Sequence, residues 1–175
     1  LILPTKEIFI QRRNRKASHV PGVIDSSCGG LCIVENDAID HISSVYEKIK
    51  RELKLEPHEI KIEGISGIHS TNKPDLSGTI DFIVKTEVNK NNFIERIKNN
   101  FEEFFIVEKE NLFNFIFEHL NKDIGFEGVA TLLTALNKKD RKRLIYLVNK
   151  NSKKIRFGEL HKSKIRSLRE SLLNL

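Results

Sequence analysis

Pro21-Gly22-Val23-Ile24-Asp25-Ser26-Ser27-Cys28-Gly29-Gly30 opens the stretch whose reading decides the fold, and Ile49-Lys50-Arg51-Glu52-Leu53-Lys54-Leu55 closes it. Pro-Gly is a turn dipeptide, so Val23-Ile24-Asp25 starts a short strand, which the Gly29-Gly30 pair punctuates. Glu35-Asn36-Asp37 and Asp40 then form an acidic loop, after which Ile42, Val45, Ile49 and Leu53 recur at helical spacing. Asp40 or Ser43 can cap that helix by accepting from its first free backbone N–H groups.

On these residues the stretch resembles the Nudix hydrolase family, whose box reads G-x5-E-x7-R-E-U-x-E-E-x-G-U, with U bulky and apolar. Anchoring U on Ile49 and Leu55 sets the last Glu of the box on Glu52 and its closing Gly on Lys54. The box Arg then falls on Glu47, its neighbouring Glu on Lys48, and the first Glu of the Glu-Glu pair on Arg51. Gly29 and Glu35 satisfy G-x5-E, but eleven residues rather than seven separate Glu35 from Glu47. In the family three box carboxylates share one helical face and hold Mg2+ against a substrate diphosphate. Here Lys48, Arg51 and Glu52 occupy those places, which changes the formal charge of the face from minus three to plus one. Lys48 and Glu52 also read as an ordinary i, i+4 surface pair.

The resemblance extends outward from the box. Lys6 to Arg13 reads as a short strand ending in Gln11-Arg12-Arg13, the place where family members carry an arginine facing the phosphate region. A solvated strand end is the other reading of Arg12 and Arg13. The Gly29-Gly30 pair matches the glycines that let the backbone approach a pyrophosphate. Glu59 to His69, with Gly64 and Gly67 inside, reads as a bulged strand or a strand pair, and Thr79 to Val88 alternates as a further strand. Pro21-Gly22, Asp25, Gly29-Gly30, Ser43-Ser44-Val45, Gly64-Ile65 and Lys73-Pro74 resemble the branch that includes uridine-diphosphate-sugar pyrophosphatases.

Phe93 to Phe101 is expected to be helical, Glu103 to Val107 a strand, and Asn111 to Leu120 and Gly125 to Leu136 two further helices. By position, Glu102 and Glu103 match an acid that assists the base or metal in the family. Phe101, Phe104, Phe105, Phe113, Phe115 and Phe117 are core material rather than a base-stacking platform.

Charge divides the chain. Residues 138–175 carry thirteen Lys/Arg against three Asp/Glu, a net of +10, whereas the whole chain carries +6 and residues 1–137 therefore −4. A Nudix-like domain over 1–137 and a basic helical tail over 138–175, with helices at Arg141 to Val148 and Leu160 to Leu173, follow from that division. At 175 residues, 39% hydrophobic and 31% charged, the chain can bury one good core. Runs of about eighteen apolar residues are missing and Leu1-Ile2-Leu3 is too short for a signal sequence, so a cytoplasmic protein without a membrane partner is expected. No Met occurs anywhere, so the chain reads as truncated, processed, engineered or missing some residues. Cys28 and Cys32 read as two reduced thiols rather than half a zinc site.

The expected fold is thus α/β, a Nudix α/β/α sandwich with a mixed sheet plus the basic helical tail. The resemblance implies a weak or atypical Mg2+-dependent hydrolase of a nucleoside diphosphate linked to another group, such as a nucleotide sugar. Glu52, Glu47 and Glu102 would be catalytic, Glu52 and Glu35 metal ligands, and Arg12, Arg13, Gly29 and Gly30 the phosphate cradle. The alternative is a Nudix-fold nucleotide-binding or regulatory module that has lost hydrolysis, with nucleic acid or another polyanion as a partner of the tail.

Overall fold

A computed structural model describes residues 1–16, 21–28, 34–35, 38–69, 79–120 and 122–150. Strand β1 (Ile8–Arg12) is its axis. Ile8, Phe9 and Ile10 are all buried, so this strand is covered on both faces and reads as a continuous apolar run. Because side chains alternate across a strand, Ile8 and Ile10 enter one cluster and Phe9 the other.

Along one edge, β1 pairs antiparallel with β2 (Ile24–Asp25) through Gln11 and Arg12. The hairpin β3 (Val34–Glu35) and β4 (Ala38–Ile39) follows, then helix α1 (His41–Leu53). Asp40 caps α1 and accepts from the Ser43 backbone N–H at 2.9 Å. After one 3-10 turn at Pro57–Glu59, β5 (Ile60–His69) pairs antiparallel with β6 (Thr79–Thr86). Its register slips between Ile62 and Gly64 and again between Ile65 and Gly67, so this stretch is one bulged strand rather than a strand pair. Helix α2 (Lys90–Ile97) leads to β7 (Phe104–Val107), which pairs antiparallel with the other edge of β1. Helices α3 (Leu112–His119), α4 (Phe126–Ala135) and α5 (Lys138–Lys150) complete the described chain.

The two groups of strands are joined by Leu1 to Leu3. Ile2 N–H donates to the Val84 carbonyl at 2.8 Å and its own carbonyl accepts from Thr86 at 3.1 Å, while the Leu1 carbonyl accepts from Phe9 N–H at 3.0 Å. Ile2 bridges Lys85 in parallel and Ile8 antiparallel, so parallel and antiparallel pairing are mixed at this join.

On one face, Phe9 packs with Ile49, Leu53 and Leu55 of the α1 region and with Phe93 and Ile97 of α2. Its ring meets Phe93 edge-on at 5.1 Å between centroids. On the other face, Ile8, Ile10 and Ile24 pack with α3, α4 and α5. Gly128 is required there: a Cβ on it would lie 2.9 Å from the Ile24 carbonyl oxygen, so only glycine lets α4 approach β2 this closely.

The protein is therefore mixed α/β with helices on both sides of its strands. Helix α2 starts earlier than its apolar spacing predicted, because Asn89 caps it by accepting from Asn92 N–H at 3.0 Å. It also ends earlier, and Asn100 beyond it donates to the Glu52 carbonyl of α1 at 2.9 Å. Helix α5 lies beyond the boundary drawn from charge at Asn137, yet Leu144 and Val148 are buried in the same cluster as Leu132, Leu133 and Leu136 of the α4 region. The helix expected at Leu160 to Leu173 lies outside the described residues. Among the described residues no helix is long and apolar enough to cross a membrane.

Candidate functional site

Helix α1 sets the geometry. With Ile49 and Leu53 buried, Lys48, Arg51 and Glu52 share another side of the helix as i, i+3 and i+4 neighbours, Arg51 exposed and Lys48 and Glu52 half-buried. Lys48 Nζ lies 3.4 Å from Glu52 Oε1, and Arg51 Nη2 lies 3.5 Å from the same oxygen. Glu52 is thus a single carboxylate held between two cations. Glu47, Lys50, Arg51, Lys54 and Glu56 line an open depression of about 500 Å³ beside it, where Lys50 pairs with Glu56 at 2.8 Å.

The helix closes at Lys54, which takes φ 55° and ψ 35°. This is the left-handed conformation that ends many helices and normally favours glycine. Lys54 is also the position onto which the closing Gly of the box falls. The Lys54 carbonyl accepts from Arg96 of α2 at 3.2 Å, and Arg96 grips Glu59 with two bonds of 2.7 and 2.9 Å. Those bonds from Arg96, with one from the Glu56 backbone N–H, hold the Glu59 carboxyl down at about 2.

Between α1 and β2 sits Cys28. Burial pushes its thiol up to about 11, and the neighbouring Glu52 and Asp25 carboxylates add to the rise against Lys48. Without a metal the thiol stays protonated at neutral pH and is a weak nucleophile there. Cys32 lies outside the described residues.

The two arginines ending β1 have different surroundings. Arg12 donates Nε to Glu103 at 2.5 Å, Nη1 to the Gly22 carbonyl at 2.9 Å and Nη2 to Asp123 at 2.7 Å. His119 Nδ1 lies 2.6 Å from the other oxygen of Asp123. Burial raises the Asp123 carboxyl, but the bonds from His119 and Arg12 outweigh it and leave the group below its usual range. Arg12 is thereby committed to tying β1, β7 and the α3–α4 connection together. Arg13 donates Nε to the buried Asp25 at 2.6 Å and faces the β2 end near Cys28.

Of the residues singled out in the sequence, Glu52 and Glu47 share α1, whereas Glu102 stands apart, exposed in the loop before β7 and 3.5 Å from the Arg15 backbone N–H. Glu35 lies on β3 with its side chain outside the described set, and Gly29 and Gly30 lie outside the described residues. Among the described residues no group of three or more His, Cys, Asp or Glu side chains converges to hold a metal. The donor set on α1 does not fit Mg2+, which needs several hard oxygen ligands and loses water reluctantly. Lys50, Glu56 and the Asp123–His119 pair were not anticipated, because nothing local in the sequence distinguishes them from surface charge.

The sequence matches no protein-family model and no curated protein. The fold is similar to that in the crystal structure of DR0079 from Deinococcus radiodurans, with a TM-score of 0.52 and 17% identity over 76% of this chain and 75% of that one. At that identity the likeness concerns the fold alone.

Proposed function

We propose that this chain is a Nudix-fold domain that binds a diphosphate-containing nucleotide through side-chain cations and without metal-dependent hydrolysis at its box helix. The observation that carries this reading is the Lys48–Glu52–Arg51 contact on α1, at 3.4 and 3.5 Å. It puts two positive charges where a metal would need carboxylates, and fixed cations can neutralise phosphate in place of a divalent ion. Lys54 supports the alignment itself, since it adopts the left-handed conformation at the position that the box gives to glycine. The exposed cations Lys50, Arg51 and Lys54 around the depression supply the charge for an anionic ligand, with Arg13 near the β2 end.

The test is turnover of nucleotide sugars and dinucleotides in Mg2+, followed by release of nucleoside monophosphate. Background rates that EDTA leaves unchanged are expected. Efficient Mg2+-dependent cleavage abolished by Glu35→Gln or Glu52→Gln would establish the hydrolase reading instead.

A further inference from the structure

We infer that the outward side of α5, together with the exposed end of α3, is a binding surface for single-stranded nucleic acid. This does not rest on the nucleotide reading above, because it concerns the opposite side of the strands from α1.

The helix is amphipathic in an unusual way. Leu144 and Val148 are buried in the core, whereas Lys139, Lys142, Arg143, Tyr146 and Lys150 are exposed and recur every three or four residues along the opposite side. Asp140, the one acid among residues 138–150, accepts from Asn137 at 2.6 Å and is locally engaged. Arg141 turns inward to the Thr134 and Leu136 carbonyls, so it belongs to the fold and not to this stripe.

Rings are interleaved with the charges. Tyr146 is 62% exposed with Lys150 Nζ 6.0 Å from its ring centre, and Phe117 of α3, expected in the core, is instead 45% exposed. Arg143 lies 4.7 Å over Phe113, whose ring stacks on Phe117 at 6.2 Å and 5°. Cations with exposed aromatic faces between them match an unpaired strand, which offers phosphates to the former and base faces to the latter. A duplex hides its base faces. An acidic protein surface satisfies the cations and leaves the rings without purpose. Insertion into an anionic membrane would need the apolar side of α5, and that side is already used by the core. The sequence beyond Lys150 carries seven Lys/Arg against two Glu.

The experiment is fluorescence anisotropy of the full chain with labelled single-stranded DNA and RNA of about twelve nucleotides, a hairpin duplex and heparin, over a salt series. Single strands should bind more tightly than the duplex. Lys139→Ala with Lys142→Ala should reduce the log–log salt slope by roughly 1.4, the loss of two phosphate contacts. Tyr146→Ala should weaken single strands about tenfold and leave heparin unchanged, while Tyr146→Phe retains the affinity. No binding at low salt, or a slope unchanged by the lysine pair, would overturn the assignment. Heparin and duplex binding as tight as that of single strands, with Tyr146→Ala neutral, would overturn it in favour of a general polyanion surface. Thermal unfolding of each variant checks folding, and Phe117→Ser is the second aromatic variant should Tyr146→Ala lose its fold.

Discussion

Replacing Lys48 and Arg51 together by Glu should create the metal site that the native helix lacks. Both cations sit within 3.5 Å of Glu52, so carboxylates placed there would face the same point in space. The formal charge of the face would pass from +1 to −3. Unit charges about 4 Å apart interact by ~1 kcal/mol in bulk water, so a divalent ion meeting four more units of negative charge gains on the order of 8 kcal/mol before dehydration is counted. Dehydration of Mg2+ takes back much of that, and a net gain of about 3 kcal/mol, or roughly a hundredfold in Kd, is expected. Without metal the variant should be slightly less stable, because the Lys48–Glu52 pair, worth about 0.3–0.5 kcal/mol at such exposure, gives way to repulsion. Calorimetric titration with Mg2+, and melting with and without it, read both effects. A double variant with native circular dichroism that binds Mg2+ no more tightly than the native chain would refute the reasoning.

Ile49→Ala should cost about 2–5 kcal/mol in urea unfolding at constant m, since Ile49 is 2% exposed beside Leu53 and the Phe9 cluster; a neutral result would contradict the packing of α1. Arg12→Ala should cost about 2 kcal/mol by leaving Glu103 and Asp123 without their cation, and nucleotide affinity should stay unchanged; lost affinity at unchanged stability would return Arg12 to the phosphate cradle. Glu59 titrates at about 2 in the folded chain against 4.5 ordinarily, so its contribution is complete above about pH 4.5 and disappears as pH falls toward 2. Because Arg96 is 37% exposed, screening reduces that contribution to about 1 kcal/mol, read as a stability gap between native protein and Glu59→Gln that closes on acidification; a gap independent of pH would contradict it.

The elements that were legible are those whose signals are local. Ile49 and Leu53 gave the inner side of α1, although Ile42, counted in the same pattern, is 44% exposed at the open first turn. Gly64 and Gly67 marked the irregular part of β5, and the register slips beside both of them in its pairing with β6. The pairings of Arg12 were not legible, because Glu103 and Asp123 are 91 and 111 residues away and no local pattern joins them. The β3–β4 hairpin was read only as acidic loop, although Val34-Glu35 and Ala38-Ile39 flank a two-residue Asn36-Asp37 link, a known hairpin spacing. In α5 the run of Lys and Arg dominated the reading, while the two residues that anchor the helix, Leu144 and Val148, are spaced by a single turn. At the site, the order of charges on α1 was readable and the Lys48–Glu52 contact followed from its i, i+4 spacing, whereas the contact between the adjacent Arg51 and Glu52 did not follow from helix geometry. Which carboxylates meet was not readable, since Glu102 and Glu52 belong to different loops and helices of the fold.

Calorimetry of the native chain with a uridine diphosphate sugar, once in EDTA and once in Mg2+, tests the central proposal most directly. Cation-mediated recognition predicts saturable binding of the same affinity in both, weakened by Arg51→Ala and Lys54→Ala, with no heat from Mg2+ alone. Binding that requires Mg2+, or tight binding of Mg2+ alone, would contradict it.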